Sequence, residues 1–281
     1  MLKKIKSLTD KYAIVTALVV FVLLDTIILV LGRLLSQLPQ TLPIKYLIQS
    51  ILIIVPVAFV FLFGFSSAFK KGNLARGLFC SLPFIVLQLL ALGGFMAFAL
   101  EIPDLKWNPW YLIVYGMFCV VGIAVREECV YRGVIQNIIA KKYANSVKGI
   151  WLTAIAGGAI FGLAHVTNLF FGMDPLAVLV QMFTTALMGL LFCAVYLRSG
   201  SLWTVIIIHT LTDVSGLASS TFTVGVSDSD VINGLSFSWE SLALHLFYGA
   251  FAFFLLRPSR CKQICESLCF ADEKAQTDAE N

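Results

Sequence analysis

Apolar runs of close to 20 residues recur along the whole chain, and this recurrence constrains the fold more than any other feature. A hydrocarbon core about 30 Å thick is crossed by a helix of about 20 mainly apolar residues. Because 59% of the residues are hydrophobic and only 13% are charged, too few polar residues remain to cover a water-soluble core of this size. The sequence therefore predicts a polytopic, all-α membrane protein.

We predict eight transmembrane helices packed in one bundle. The runs cover residues 12–31, 46–65, 78–100, 110–141, 149–166, 175–197, 202–217 and 239–256. The first run is too long for a signal peptide and lacks a cleavage site, so it is interpreted as a retained span. Lys and Arg fall almost entirely in alternate loops, and cytoplasmic loops carry the excess of basic residues. Both termini are therefore expected in the cytoplasm, in a multi-pass protein of the plasma membrane.

The net charge of +4 is explained by the basic residues of the cytoplasmic loops and does not indicate a nucleic-acid ligand. The chain has seven cysteines, which lie in apolar spans or after the last span on the reducing side, so disulfides are not expected. Cys261, Cys265 and Cys269 are spaced by four residues and predict an apolar stripe on a juxtamembrane helix. Residues 271–281 are polar and predicted to be disordered.

One stretch breaks the apolar pattern, because Arg126, Glu127, Glu128 and Arg132 lie inside the fourth run. A helix over residues 110–141 would exceed the hydrocarbon thickness, so it must tilt, bend or protrude. Glu128 and Arg132 are four residues apart and can pair on one face. Glu127 is turned about 100° away, which leaves it free to take a proton as a general base. The alternative is a charge cluster at the cytoplasmic interface with snorkelling arginines.

Two of the three histidines lie four residues from a partner on an apolar run. Phe161 and His165 share a face of the fifth run, and His209 and Asp213 share a face of the seventh. At about 1.5 Å per residue, both histidines and the acidic stretch lie about 17 to 26 Å from the nearest cytoplasmic basic residue. Three helices thus bring polar groups to similar depth, which disfavours the interfacial cluster. His245, alone on the last run, is predicted to be a structural hydrogen-bonding residue.

A track of small residues precedes His165 on the fifth run. Ala154, Gly158 and Gly162 repeat at four-residue spacing, which permits close contact between membrane helices. The track predicts a tight helix crossing, with His165 one turn beyond it and within reach of a neighbouring helix.

The polar residues resemble the three ordered motifs of the CPBP family, the CAAX proteases and bacteriocin-processing enzymes that are also called Abi proteins. The motifs are Glu127-Glu128-x-x-x-Arg132-Gly133, Phe161-x-x-x-His165 and His209-x-x-x-Asp213. The resemblance covers about residues 109–217. We therefore divide the chain into N-terminal helices at 1–108, a catalytic core at 109–217, and the last helix with a cytoplasmic tail at 218–281, within one membrane domain.

The resemblance implies an intramembrane endopeptidase that hydrolyses peptide bonds of hydrophobic or lipid-associated peptides or proteins. The implied roles are water activation by Glu127 and His165, support of the site by Glu128, Arg132 and Phe161, and oxyanion stabilisation by His209 and Asp213. Eukaryotic prenyl-protein proteases of this family have Asn where this chain has Asp213. Because an ionised Asp cannot donate a hydrogen bond to an oxyanion, Asp213 is protonated, orients His209, or helps to bind a metal.

The glutamate-type mechanism needs no cofactor. The metalloprotease alternative places Zn²⁺ on Glu127, His165 and His209, where the ion would generate a hydroxide. The expected partners are a hydrophobic or lipid-modified peptide or protein substrate and membrane lipid.

Two alternatives come from other functional classes. The same buried Glu, His and Asp residues could form a proton relay or ion site in a transporter, with Asp25 of the first run contributing. Against this, the sequence shows no inverted repeat and no matched pair of broken helices. The other alternative is a non-proteolytic membrane protein of bacteriocin self-immunity.

Overall fold

The computed structural model describes residues 12–69 and 73–265, and these ranges are almost entirely helical. The α-helices are α1 (Ala13–Leu35), α2 (Leu42–Leu62), α3 (Leu74–Cys80), α4 (Leu82–Glu101), α5 (Trp110–Glu128), α6 (Asn137–Tyr143), α7 (Val147–Ala164), α8 (Pro175–Ser199), α9 (Leu202–Gly216), α10 (Ala218–Phe222), α11 (Asp228–Asn233), α12 (Trp239–Leu255) and α13 (Pro258–Cys265). Within the same ranges, extended pairing is limited to an isolated bridge between Trp107 and Thr223. The all-α prediction is confirmed.

Other helical forms occur where α-helices end. A π-helical segment, Cys129–Gln136, joins α5 to α6, and 3₁₀ segments cover Ser66–Phe69 and His165–Phe171. The predicted long helix over residues 110–141 is therefore present as one continuous helical segment, and its middle has π geometry.

Local sequence explains where the central helices begin and end. Ser146 caps α7 by accepting a hydrogen bond from the backbone nitrogen of Gly149 at 3.1 Å. Asp174 caps α8 in the same way, through Ala177 at 2.9 Å. Helix α8 stops at Gly200, whose φ of 62° lies in the left-handed region that favours glycine.

A helix lies at each of the eight predicted runs, but fewer are long and apolar enough to cross a membrane by themselves. In the described ranges, five pass that test: Ala13–Leu35, Leu42–Leu62, Leu82–Glu101, Val147–Phe171 and Pro175–Ser199. A sixth arises if α12 and α13, which are bent by 59° relative to each other, count as one span. Helix α9 is not among them because it has only 15 residues, and helix α5 carries the charged stretch. The count of eight spans and the cytoplasmic termini stay predictions.

The most buried elements surround the π segment, all eight residues of which are buried. At least half of the residues in the apolar stretches of Val147–Phe171 and of α8 are buried, whereas only 17% are buried in the apolar stretch of α4. The peripheral helices instead present large apolar side chains outward, as expected of a surface that faces lipid. Examples are Val19, Leu90 and Phe98, each more than 60% exposed.

The predicted tight crossing is formed by α7 and α8. A Cβ atom added at Gly158 would lie 2.7 Å from the backbone nitrogen of Leu190 and 2.9 Å from the carbonyl oxygen of Ala186. On the opposite side of the contact, Gly189 would bring a Cβ to 3.2 Å from the Cα of Gly158. The absence of side chains at these positions lets the two backbones approach.

We name the two ends of the bundle after Asp174, which caps the start of α8, and Ser199, the last residue of α8. At the Asp174 end, the backbone nitrogen of Asp174 donates to Asn233 at 2.9 Å. At the Ser199 end, the backbone nitrogen of Asn73 donates to the carbonyl of Ser199 at 2.9 Å, and Trp203 Nε1 donates to the carbonyl of Phe69 at 2.9 Å.

Two of the three cysteines of the predicted stripe, Cys261 and Cys265, lie on α13 at the Ser199 end. Cys261 is buried and donates to the carbonyl of Leu256 at 2.9 Å, and Cys265 packs against the same core. These two fit the predicted apolar stripe. Cys269 and the tail at residues 271–281 lie outside the described residues.

Candidate active site

The site begins with a buried ion pair inside the charged stretch. Arg132 Nη1 donates to Glu128 Oε1 at 2.8 Å, and both side chains are fully buried. The predicted pairing is therefore present. Glu128 is the last residue of α5 and Arg132 lies in the π segment, so the pair spans the change in helix geometry.

Helices α7 and α8 complete the surroundings of Arg132. Its Nη2 donates to the carbonyl oxygen of Gly189 at 3.1 Å. Its guanidinium carbon lies 4.5 Å from the ring centroid of Phe161 and 5.3 Å from that of Phe192. Hydrogen bonds and aromatic faces thus replace water around the charge. Phe161, predicted to support the site, packs on this guanidinium.

His209 joins the ion pair from α9. Its Nδ1 lies 2.7 Å from Glu128 Oε1, and its Nε2 lies 3.5 Å from Asp213 Oδ1 and 3.8 Å from Glu127 Oε2. Because a carboxylate only accepts hydrogen bonds, Nδ1 carries a hydrogen and donates it to Glu128. The opposite nitrogen faces two more carboxylates, so a doubly protonated ring is the form that donates on both sides.

The position of Asp213 favours one of its three predicted roles. Its Oδ1 lies beside Nε2 of His209, one helical turn away on α9, which is the geometry expected of a residue that orients the ring. Its Oδ2 is buried and has no hydrogen-bond partner in the described part of the chain.

Glu127 occupies a different environment from Glu128. Its side chain is 21% exposed and lies 3.9 Å from Arg126. It borders a cavity of about 550 Å³, which is lined by α1, the start of the π segment and the end of α7. The cavity reaches Ser36 and Phe171 at the Asp174 end. The two adjacent glutamates thus differ as predicted, one buried in an ion pair and one open to a cavity.

His165 lines the same cavity from the first position of its 3₁₀ segment. Its Nδ1 lies 3.0 Å from the carbonyl oxygen of Phe161 and 3.4 Å from the hydroxyl of Thr185 on α8. Because a carbonyl only accepts, Nδ1 carries the hydrogen and Nε2 of the neutral ring keeps a free electron pair. The neighbouring helix therefore reaches His165, as the small-residue track predicts.

Residues 108–215 match the family model described as "Type II CAAX prenyl endopeptidase Rce1-like". This match is to the CPBP/CAAX protease family. The match includes all three motifs, and it ends just after Asp213. No curated protein and no solved structure matched the chain.

Two residues outside the motifs also face the cavity of Glu127. Asp25 on α1 accepts a hydrogen bond from the hydroxyl of Tyr131 at 3.1 Å, and both residues line the cavity beside Glu127. The motifs do not include Asp25, which the sequence connects only with the transporter alternative, although an isolated acid in an apolar span is itself a signal of function. Arg126, which had no predicted role, also lines this cavity.

The zinc alternative can be compared with this geometry. Within residues 12–69 and 73–265, no group of three or more His, Cys, Asp or Glu side chains is arranged to hold a metal ion. The predicted alternative ligands Glu127, His165 and His209 do not form such a group. Each histidine directs Nδ1 to a protein oxygen, at 2.7 Å for His209 and 3.0 Å for His165, which leaves Nε2 as the ring nitrogen that could bind a metal.

The third histidine has the structural role predicted for it. His245 Nδ1 donates to the carbonyl oxygen of Ser241 at 2.7 Å on its own helix, α12. Cys80, Cys119, Cys129, Cys193 and Cys261 are free thiols, and none of the described cysteines lines the cavity of Glu127.

Proposed function

We propose that this protein is an intramembrane endopeptidase that cleaves a hydrophobic or lipid-modified peptide with a water activated by Glu127 and His165. One observation carries the proposal: these two side chains come from different helices and line one cavity. Its volume of about 550 Å³ lies within the range of ligand sites. The name of the matching family makes a prenylated C-terminal peptide the first substrate class to test.

In the proposed reaction, Glu127 removes a proton from water as its oxygen attacks the scissile carbonyl carbon. The free Nε2 of His165 accepts the second hydrogen of the same water in a hydrogen bond and so orients it. The tetrahedral intermediate collapses when the C–N bond breaks, and the proton held by Glu127 passes to the leaving amine. The products are a new carboxylate and a new amine, and no cofactor is consumed.

His209 is the proposed donor to the oxyanion. Its Nε2 lies 3.8 Å from Glu127 Oε2, so a carbonyl attacked beside Glu127 lies near this nitrogen. Glu128 fixes the ring from Nδ1, and Asp213 orients Nε2. Loss of one such donor lowers kcat by about 10²–10³-fold in well-studied hydrolases.

The proposed topology has eight helices in the plasma membrane and cytoplasmic termini. On that topology, α8 ends on the cytoplasmic side, so the cavity reaches the opposite face at Ser36 and Phe171. This favours a peptide substrate that lies in the outer leaflet or has crossed the membrane.

The test uses purified protein in proteoliposomes, a farnesylated C-terminal peptide and an unmodified apolar peptide of the same length. Cleavage is followed by mass spectrometry. We expect wild type to release a C-terminal fragment and Glu127→Gln to release none. Glu101→Gln, which changes an exposed glutamate at the end of α4, is the matched control and should retain activity. Absence of cleavage by wild-type protein of either peptide, or full activity in Glu127→Gln, would overturn the proposal.

A second candidate is a proton relay, and one observation favours it: Asp25 and Glu127 line the same cavity on different helices. The same proteoliposomes, loaded with a pH-sensitive dye, measure proton flux. A relay predicts flux that Asp25→Asn abolishes, without any cleaved product. The endopeptidase predicts cleavage without flux.

A further inference from the structure

A second groove lies at the Ser199 end of the bundle, away from the cavity of Glu127. It has a volume of about 850 Å³ and forms where α3, α4, α8, α12 and α13 meet. Four arginines line it: Arg76, Arg198, Arg257 and Arg260. None of the described residues that line it is acidic. We name this region the arginine groove.

Two of the four guanidinium groups are held in place by uncharged partners. Arg257 Nη1 donates to the carbonyl oxygen of Phe254 at 2.9 Å, and its guanidinium carbon lies 4.4 Å from the Phe254 ring centroid. Arg260 Nη1 donates to the neutral amide oxygen of Gln263 at 2.9 Å. Within residues 12–69 and 73–265, no carboxylate forms an ion pair with any of the four arginines. Each guanidinium has five N–H donors, so several remain for a ligand.

The arginine groove also has an apolar wall. Phe79 is 77% exposed, Leu82 is 50% exposed and Phe254 is 57% exposed. These side chains lie near the ends of α3, α4 and α12, where the proposed topology places the boundary between hydrocarbon and headgroups. Helix α13 leaves α12 at a bend of 59°, as expected of a helix that turns along the interface. One groove therefore combines exposed apolar surface with positive charge that no carboxylate of the described residues neutralises.

We propose that the arginine groove binds an anionic phospholipid. The guanidiniums hold the phosphate through charge-assisted, bidentate hydrogen bonds, and an acyl chain lies along Phe79, Leu82 and Phe254. Basic clusters next to membrane helices recognise anionic headgroups for the same reason. Free inorganic phosphate would satisfy the arginines but leave the apolar wall exposed, so the lipid fits the whole groove. A bound lipid links α13 to α3 and α8.

The test measures retention of lipid by the detergent-purified full chain in native mass spectrometry, with phosphatidylglycerol and phosphatidylcholine as probes. The variant Arg257→Gln/Arg260→Gln removes two charges from the groove. Lys45→Gln/Lys106→Gln removes the same charge at the Asp174 end and is the control. Arg257→Lys/Arg260→Lys keeps the charge, and thermal unfolding checks that each variant is folded.

We expect wild type and the control to retain phosphatidylglycerol over phosphatidylcholine. The glutamine variant should bind phosphatidylglycerol about 10- to 30-fold more weakly, since each basic group near an anionic surface contributes about a factor of five. The lysine variant should recover most of this loss. Equal retention by the glutamine variant and wild type would refute the proposal. Equal retention of both lipids, or full displacement of phosphatidylglycerol by inorganic phosphate, would also refute it.

Discussion

Replacing Arg132 by Met tests the buried cluster most directly. Met keeps a long side chain at this position but is apolar, so it cannot form the hydrogen bonds of Arg132 to Glu128 at 2.8 Å and to the Gly189 carbonyl at 3.1 Å. The substitution also removes the guanidinium that packs 4.5 Å from Phe161. Glu128, which is fully buried, keeps His209 as its one described ionic partner. Breaking one side of a buried ion pair costs about 3–5 kcal/mol, and we expect a loss of that size in the free energy of unfolding.

The assay is reversible unfolding in mixed micelles with increasing sodium dodecyl sulfate, followed by circular dichroism. Arg33→Met is the control, because Arg33 is exposed near the end of α1 and should change stability by less than about 0.5 kcal/mol. Glu128→Gln should also destabilise strongly, since it leaves Arg132 buried beside a neutral amide. The double variant removes both charges, so its loss should be smaller than the sum of the single losses by about 2 kcal/mol.

Two results would refute this reasoning. The first is a loss in Arg132→Met no greater than that in Arg33→Met. The second is additivity of the Glu128→Gln and Arg132→Met losses to within about 0.5 kcal/mol, which would show that the two side chains do not stabilise each other.

Three further outcomes follow from the geometry. Gly158→Ala should lower the free energy of unfolding by about 1–3 kcal/mol, because the new Cβ would lie 2.7 Å from a backbone nitrogen of α8. Gly94→Ala is the control, since the space around Gly94 is open and the substitution should not destabilise the protein. Both variants are measured by unfolding in mixed micelles. In the cleavage assay, Asp213→Asn should retain activity because the amide oxygen still orients the neighbouring histidine, while Asp213→Leu should lose about 10²-fold or more. Tyr131→Phe removes the 3.1 Å hydrogen bond to Asp25 and should cost about 1 kcal/mol in unfolding free energy.

Much of this structure could be predicted from the sequence because its strongest signals are local. Apolar runs near the length of a bilayer span fix where helices occur, and four-residue spacing fixes which side chains share a face. The pairs Glu128–Arg132 and His209–Asp213 are therefore found in the structure at 2.8 Å and 3.5 Å. The tight crossing of α7 on α8 also follows from a local pattern, the spacing of Gly158 and Gly162.

The features missed from the sequence depend on tertiary packing. The π segment Cys129–Gln136 uses bonds from residue i to i+5, and nothing in a hydrophobic pattern read at 3.6 residues per turn signals that change. The cavity is formed by helices whose contacts are distant in the chain, so the meeting of Asp25 with Tyr131 could not be derived from spacing. Length and hydropathy alone do not set the number of spans, because α9 has only 15 residues and α5 carries the charged stretch.

Glu127 and Glu128 are the last two residues of α5, and the turn of about 100° between neighbouring helical residues separates their side chains. Glu127 remains 21% exposed and borders the cavity, whereas Glu128 is fully buried against Arg132. His209 contacts both, with Nδ1 2.7 Å from Glu128 and Nε2 3.8 Å from Glu127. In the proposed reaction, Glu128 therefore acts only through the position of this ring, while Glu127 meets the substrate. A variant of Glu128 that stays folded should consequently lower kcat through a misplaced His209, and it should leave KM close to that of the wild type.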